Sequence, residues 1–163
     1  MKHAPEVESN GRIINKFKLK TILAPIDFSD EAMFAFRYAT RLAEEVGGKV
    51  IALNVVENPI AYPSFGPGDR ETSASKAQQR LYQACQTDAA NPDDVETLVR
   101  LAVGPVAEEI VMAARDVAAD LIVVPAHHRG VFGQNLFATT VEKIGRHAPC
   151  PVLMVPVDHS HSF

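Results

Sequence analysis

The stretch Asp120-Leu121-Ile122-Val123-Val124 starts with one aspartate and continues as an unbroken run of aliphatic and β-branched residues. It is followed by a polar loop containing Gly130 and Gly133, by a helical pattern from Leu136 to His147, and by a second apolar run, Val152-Leu153-Met154-Val155. A strand, a glycine loop, a helix and a strand in this order form a βαβ unit. Such a unit presents backbone N–H groups at a helix N-terminus, where anions bind. The last third of the chain therefore predicts the unit around which the other elements are arranged.

Upstream of this unit, short apolar segments alternate with segments whose apolar residues recur at steps of three and four. Strands alternating with helices predict an α/β fold with a parallel sheet, right-handed crossovers and helices on both faces. The third strand alternates apolar and polar residues, which favours a position near the sheet edge. The predicted upstream elements are strands at Lys20–Ile26, Val50–Val56 and Val95–Val103, and helices after Ser29 or Asp30, from Ala74 to about Thr87, and from Gly104-Pro105.

The length of 163 residues is that of one domain with a substantial core. We expect a single domain over residues 19–157, a flexible N-terminal tail over residues 1–18 and a short C-terminal tail over residues 158–163. The proline- and glycine-rich segment Glu57–Ser73 is long for a loop, and loops of this length are usually functional or mobile.

Composition and charge exclude several classes of protein. Apolar residues make up 47% and charged residues 22%, no apolar run approaches the roughly 18 residues of a membrane span, and the first residues contain no apolar signal core. We therefore expect a cytoplasmic protein that does not contact membranes.

A net charge of −4 argues against nucleic acid as the main partner. Residues 1–20 nevertheless hold five basic against two acidic residues, which fits either a solvated tail or an arm that docks a partner protein. Cys85 and Cys150 lie in no metal spacing and predict free thiols of a reducing compartment.

Four segments carry a resemblance to a known family: Ile22–Ser29, Val103–Ile110, Asp120–Val124 and Val141–Val155. Together they resemble the universal stress protein family over about residues 19–157. The resemblance implies a Rossmann-like, adenine nucleotide alpha hydrolase-like fold, with a five-stranded parallel sheet in the order 3-2-1-4-5. It also implies a homodimer formed through the last strand. Independently, an apolar edge strand at the end of the chain needs a cover; the predicted interface residues are Val152, Leu153, Met154, Val155 and Val157.

A ligand crevice is expected where the strand order reverses, between the first and fourth strands. The resemblance implies that Asp27 and the backbone near Val56 hold the adenosine part of ATP there. It also implies that a glycine-containing loop after the fourth strand holds the phosphates. The candidate crevice residues are Ala24, Pro25, Asp27, Val56, His127, Arg129, Gly130, Gly133, Thr139 and Thr140.

The phosphate loop departs from the pattern of the nucleotide-binding members. In the register set by Val141, the three motif glycines are replaced by Pro125, His128 and Ala138, and only the hydroxyl residue survives, as Thr139. Proline offers no N–H to a phosphate, a left-handed histidine costs roughly 1–2 kcal/mol, and a lost hydrogen bond to a charged group costs about 1.5–3 kcal/mol. These terms predict weak ATP binding and no required cofactor. A shifted loop remains open as an alternative: Gly130 and Gly133 would hold an anion or another nucleotide, with positive charge supplied by His127, His128 and Arg129.

The histidines and hydroxyl residues do not form a clear metal-binding or catalytic group. The histidines are His127, His128, His147, His159 and His161. Adjacent residues of an extended segment point in opposite directions, and no acidic or thiolate partner stands at ligand spacing, so we predict no metal site. Asp27, His127 and either Thr139 or Thr140 would be needed for a hydrolytic trio, and sequence alone does not bring them into contact.

The leading hypothesis is a non-enzymatic stress-response module that acts by binding. The alternatives are an ATP-binding sensor with slow hydrolysis and a module that docks a partner through the N-terminal arm or residues 57–73.

Overall fold

A parallel sheet with helices on both faces forms the body of the protein. The structure is a computed structural model that describes residues 6–7, 13–14, 19–57, 67–126 and 136–156. In chain order the elements are β1 (Glu6–Val7), β2 (Ile13–Ile14), β3 (Thr21–Pro25), α1 (Asp30–Val46), β4 (Lys49–Val56), α2 (Pro67–Asp88), β5 (Val95–Leu101), α3 (Val106–Asp116), β6 (Leu121–Pro125), α4 (Leu136–His147) and β7 (Val152–Val155).

The strands of the main sheet lie in the order β5-β4-β3-β6-β7, and every neighbouring pair is parallel. Counted from β3, this is the order 3-2-1-4-5, so the fold class predicted from the sequence is confirmed. β5 lies at one edge, as its alternating pattern predicted, and β7 lies at the other. From β3 the chain adds β4 and then β5 on one side of β3, and it later crosses to the other side of β3 to form β6. The strand order therefore reverses between β3 and β6, which is where open sheets of this kind bind ligands.

Helix α1 has the ends that its flanking residues predict. Ser29 is the N-cap, and its Oγ accepts a hydrogen bond from the Ala32 N–H at 3.2 Å. At the other end, Gly47 adopts a left-handed φ of 66°, a conformation that glycine reaches without steric cost. A Cβ on the next residue, Gly48, would lie only 2.7 Å from the Leu19 carbonyl oxygen. The turn from α1 into β4 therefore requires both glycines.

Alternate side chains of the strands feed two apolar layers, one on each face of the sheet. In β3, Ile22 packs in the layer with α1 and α2, whereas Leu23 packs in the layer with α3 and α4. Phe36 of α1, Leu81 of α2 and Ile144 of α4 are among the largest fully buried side chains. Burial of a side chain of this size contributes about 1.5–3 kcal/mol. The sheet thus anchors the helices on both of its faces.

The start of α2 differs from the prediction. The helix begins at Pro67 rather than at Ala74, so the final part of the predicted loop Glu57–Ser73 is helical. Proline is favoured at the first position of a helix, because the N–H that it lacks would have no helical partner there. The proline and glycine content of this segment was therefore misread as a signal for a loop throughout.

The N-terminal tail contains one feature that the sequence did not predict. Glu6 pairs with Ile14 and Val7 pairs with Ile13, in an antiparallel arrangement of β1 and β2. The rest of the predicted tail, most of the loop after Glu57, the C-terminal tail over residues 158–163 and Val157 lie outside the described residues. The flexibility predicted for residues 1–18 stays a prediction.

A buried carboxylate, Glu109, fastens the connection from β5 to α3. Glu109 is 2% exposed. Its Oε1 accepts hydrogen bonds from the N–H groups of Val103 (2.9 Å) and Gly104 (3.2 Å), and its Oε2 accepts one from Arg100 Nε (3.4 Å). Because these bonds turn the chain away from the sheet, β5 ends at Leu101, and the predicted extension of this strand to Val103 is wrong. The Val103 N–H above all, with further contributions from Gly104 and Arg100, lowers the pKa of Glu109 against the opposing effect of burial.

We expect Glu109→Gln to lower the free energy of unfolding at pH 7 by about 1–3 kcal/mol, because the amide accepts hydrogen bonds less strongly and presents donors to other donors. The pKa of Glu109 is lowered in the folded state. The stabilisation by the carboxylate is therefore complete above the ordinary glutamate pKa and is lost as the pH falls through the folded-state value. Urea unfolding of both proteins at pH 7 and at decreasing pH measures this difference.

Glu108→Gln is the matched control, since Glu108 is the exposed neighbour of Glu109 on the same helix. We expect this control to change stability by no more than about 0.5 kcal/mol. A Glu109→Gln variant as stable as the control at pH 7, or a stability difference that widens on acidification, would contradict the assigned role.

Candidate functional site

A crevice of about 330 Å³ lies at the carboxyl ends of β3, β4 and β6. This is the point of strand-order reversal, where the sequence analysis expected a ligand site. The volume is at the lower end of the range found for small-molecule sites. Most of the described wall is apolar and is formed by Ile26, Leu53, Val106, Ile110, Val124 and Ile144.

One wall of the crevice is main chain of β4 that extends beyond its neighbour β3. The β3–β4 register ends at Pro25↔Leu53, and the Ile26 N–H then donates to the Leu53 carbonyl oxygen at 2.7 Å. The β4–β5 register continues to the end of β4. Because Leu53 directs its carbonyl towards β3, Val55, two residues further along, directs its N–H and C=O to the same side. At Val55 that side is the crevice, so an edge of polar main chain faces the ligand space.

Asn54 is the buried polar side chain of this wall. It is 7% exposed, and its Nδ2 donates to the Ile26 carbonyl oxygen at 2.7 Å. This bond satisfies a carbonyl that the β3–β4 ladder no longer reaches, as buried polar groups require. The amide thus holds the end of β3 against β4 and also forms part of the crevice lining.

The turn from β3 into α1 brings a carboxylate to the mouth of the crevice. Asp27 is exposed and lines the crevice, and its Oδ1 accepts hydrogen bonds from the Ser29 N–H (2.9 Å) and the Ser29 Oγ–H (2.5 Å). Between them, Phe28 has a φ of 65°. A side-chain-bearing residue in this left-handed region is strained by about 1–3 kcal/mol and is found mainly where function constrains the backbone.

Another part of the wall is formed by the end of β6 and by Thr140 and Ile144 of α4. Pro125 is the buried last residue of β6, in register with Val155, and lies on the crevice wall with Thr140. The residue after it, Ala126, donates its N–H to the Val155 carbonyl oxygen at 2.8 Å, into the sheet rather than into the crevice. The end of β6 therefore offers a ligand no backbone donor at these two positions, because proline has no N–H.

The charges on the described wall are negative. Asp27 and Glu57 contribute carboxylates, and among the described lining residues there is no lysine or arginine. A polyphosphate placed against this part of the wall would meet charge of its own sign. The described wall therefore suits an uncharged ring system with amide or hydroxyl groups better than a triphosphate.

The structure brings three of the predicted crevice residues together: Pro25, Asp27 and Thr140. Two others lie away from the ligand space. Ala24 is 1% exposed and packs in the core layer of α1 and α2, and the Val56 carbonyl accepts a hydrogen bond from the Ala102 N–H at 2.9 Å. Their chain neighbours line the crevice instead, since side chains and backbone groups alternate along a strand.

The other candidates fall on the loop after β6. His127, His128, Arg129, Gly130 and Gly133 lie outside the described residues. Ala138 and Thr139 lie within α4, but their side chains are outside the described part of the chain. The shifted-glycine alternative and the proposed role of His127 are therefore unchanged as predictions.

Sequence reasoning missed several residues of the wall. Asn54 interrupts the apolar run Val50–Val56, and a lone amide in a buried strand is the one signal that would have identified it. Val106 and Ile110 were assigned to the apolar core face of their helix. Both also line the crevice, so one face of α3 serves the core and the crevice wall together.

The described residues show no other type of site. They contain no group of three or more His, Cys, Asp or Glu side chains placed to hold a metal ion. No helix of the described ranges combines the length and apolar character needed to cross a membrane. Cys85 and Cys150 are not disulfide-bonded. Burial, followed by the charge of Asp88, raises the pKa of Cys85 to about 12. Burial, followed by the charge of Asp120, also raises the pKa of Cys150, and a raised pKa disfavours the nucleophilic thiolate form.

Comparison with known proteins places this chain and its fold in one family. The model of the universal stress protein family matches residues 18–156. A curated universal stress protein of Staphylococcus aureus is 34% identical over 141 residues, which cover 83% of this chain and 83% of that protein. A crystal structure from the same family, from Burkholderia pseudomallei, has a TM-score of 0.67 at 26% identity and covers 86% of this chain and 98% of its own.

Two further solved structures share the fold and hold nucleotides. A universal stress protein in complex with cAMP has a TM-score of 0.63 at 20% identity, covering 85% of this chain and 97% of that chain. The Archaeoglobus fulgidus universal stress protein in complex with dAMP has a TM-score of 0.57 at 18% identity, covering 85% of this chain and 98% of that chain. On the match over residues 18–156 and the curated relative at 34% identity, the chain belongs to the universal stress protein family.

Proposed function

We propose that this stress-response protein is a cytoplasmic, homodimeric binding module without enzymatic activity, whose crevice accepts an adenosine-like group but holds a triphosphate weakly. The unpaired thiols Cys85 and Cys150 fit a reducing compartment such as the cytoplasm. The crevice supplies an apolar slot, the main chain of Val55 and the carboxylate of Asp27. These are groups that recognise a flat ring with polar edges and a ribose.

The observation that carries the proposal is the position of Pro125. It lies on the crevice wall at the end of β6, where the family pattern has the first glycine of the phosphate loop. Without its N–H, and with His128 and Ala138 at the other two glycine positions, a triphosphate loses about 3–5 kcal/mol of binding free energy. That corresponds to two to three orders of magnitude in affinity.

The nucleotide complexes of the two structural neighbours support the same distinction between the adenosine part of a nucleotide and its triphosphate. Both cAMP and dAMP are adenine nucleotides with a single phosphate. Proteins of this fold therefore bind adenine nucleotides that have no triphosphate. For this chain, the carboxylates of Asp27 and Glu57 on the described wall add a further reason for a low phosphate count.

A second candidate function is an ATP-binding sensor with slow hydrolysis. One observation favours it: Thr140 lies on the crevice wall, next to the surviving hydroxyl residue Thr139. A hydroxyl in this position is able to donate to a phosphate oxygen. A partner-docking role for the N-terminal arm or residues 57–73 remains a separate hypothesis, which removal of residues 1–17 followed by partner capture would address.

Calorimetric titration with adenosine, AMP and magnesium-ATP tests the leading proposal. We expect ATP to bind no more tightly than adenosine. We further expect the combined variant Pro125→Gly, His128→Gly and Ala138→Gly to bind ATP about two to three orders of magnitude more tightly, because it restores the backbone donors and the permissive conformations.

Adenosine serves as the internal control in this titration. It carries no phosphate, so its affinity is expected to stay the same in the triple-glycine variant. Sub-micromolar ATP binding by the unaltered protein would overturn the proposal in favour of the sensor.

The proposed dimer uses the free edge of the sheet. β7 pairs only with β6 among the described strands, and Met154 is 55% exposed. The carbonyls of Pro151 and Val155 accept hydrogen bonds from the β6 side. By alternation, the N–H and C=O of Val152 and Met154 point outward from the sheet. An apolar edge with unpaired main chain is a template for pairing with an identical strand.

Met154→Pro tests this interface, because it removes one outward N–H and leaves the hydrogen bonds to β6 in place. We expect the unaltered protein to elute as a dimer in size-exclusion chromatography with light scattering, and Met154→Pro to elute as a folded monomer. Met154→Ala keeps the N–H and is the matched control, which should remain dimeric. A monomeric unaltered protein, or a dimeric Met154→Pro variant, would rule out pairing through β7.

A further inference from the structure

Phe28 occupies a strained backbone position beside the crevice. Its φ of 65° lies in the left-handed region that residues with a Cβ rarely adopt. It stands between Asp27, which lines the crevice, and Ser29, which caps α1. A backbone strain of this kind persists only where surrounding contacts fix the residue.

The contact that fixes Phe28 from outside comes from another helix. The ring of Phe28 packs against the core layer of α1 and α2. The Arg80 guanidinium carbon, on α2, lies 4.0 Å from the centroid of the same ring. This is the geometry of a cation–π interaction. Phe28 is thus held between the core and an arginine whose own side chain is exposed.

The conformation of Phe28 controls the direction of the carboxylate that precedes it. The N–H and Oγ–H of Ser29 both donate to Asp27 Oδ1, at 2.9 and 2.5 Å. Those two bonds span Phe28, so its left-handed backbone is part of the turn that they close. A change in φ at Phe28 would move the carboxylate relative to Ser29 and to the ligand space together.

We propose that Arg80 is a positioning residue of the crevice: by covering the Phe28 ring it holds the Asp27–Ser29 turn, and with it the Asp27 carboxylate, in the orientation that a ligand meets. Arg80 is not among the described residues of the crevice wall, so it acts through Phe28. The part of the inference that concerns ligand affinity rests on the function proposed above.

This contact also couples α2 to the crevice. α2 is the helix that follows the segment after Glu57, another residue of the crevice wall. A change that displaces α2 therefore loosens the Asp27 turn. By thermodynamic linkage, a ligand that binds the Asp27 carboxylate stabilises the contact between α2 and Phe28, and it does so by the same free energy by which that contact stabilises the bound ligand.

The first test needs no ligand and compares the amide hydrogen exchange of Ser29, followed by NMR, in two variants of α2. Arg80→Gln removes the cation from the Phe28 ring and should speed exchange of the Ser29 N–H by about two- to fivefold, the range for an exposed cation–π contact. Lys76→Gln removes an exposed positive charge from the same helix and should leave that exchange unchanged. Equal exchange in Arg80→Gln and the unaltered protein would overturn the proposal.

The second test measures the affinity for adenosine. We expect Arg80→Gln to weaken it by about two- to fivefold with the thermal unfolding temperature nearly unchanged, and Arg80→Lys to restore part of the loss because it keeps a cation. A purely structural role for Arg80 would lower the unfolding temperature and leave the affinity intact.

Phe28→Gly provides the second route if Arg80→Gln folds poorly. Glycine adopts the left-handed turn without strain, so in this background Arg80→Gln should no longer change either measurement, as a double-mutant cycle requires. An undiminished effect of Arg80 in the Phe28→Gly background would contradict action through Phe28. If the unaltered protein binds no adenosine, the proposed function fails, while the exchange of the Ser29 N–H still decides the role of Arg80.

Discussion

The pairing of β3 with a neighbour on each side is the constraint on which the rest of the structure depends. β3 lies between β4 and β6 in a parallel sheet, and its registers with both neighbours end by Pro25. β4 continues beyond that point to Val56. Because the crossovers from β3 and to β6 run on opposite sides of the sheet, the ends of these two strands leave a gap between them. The crevice is therefore a consequence of strand order and unequal strand length, before any side chain in it is considered.

Side chains then decide what the crevice accepts. The described walls are mostly apolar, with one buried amide at Asn54 and carboxylates at Asp27 and Glu57. Pro125 closes the end of β6 without a donor, so this wall presents fewer groups to an anion than a glycine in the same place would. This combination of groups is the basis for the proposed preference for the ring portion of a nucleotide over its phosphates. The family fold is retained, whereas Pro125 changes the backbone donors available at one end of the crevice.

The stability of the fold and the geometry of the crevice are linked at two turns. At the β3–α1 turn, the strained Phe28 is held by the core and by Arg80, and it sets the direction of Asp27. At the β5–α3 turn, the carboxylate of Glu109 accepts two backbone N–H groups and so places the first turn of α3, whose Val106 lines the crevice. Each turn uses the packed core to maintain a local arrangement that would not persist in an isolated peptide.

The sequence by itself determined the strands of the main sheet, the helices between them, their order and the family, though not every boundary, because these depend on local signals: apolar periodicity, the Ser29 cap, Gly47 at the helix end and the closing segment up to Val155. It also located the crevice through the strand order implied by the resemblance, and identified Pro25, Asp27 and Thr140 as residues near it. Only the tertiary structure decided that Val55 rather than Val56 lines the crevice, that Asn54 bridges two strands, and that Arg80 reaches Phe28. The reason is physical: which side of a strand meets a neighbour, and which distant side chain covers a ring, depend on register and packing between elements far apart in the chain, and no local pattern records them.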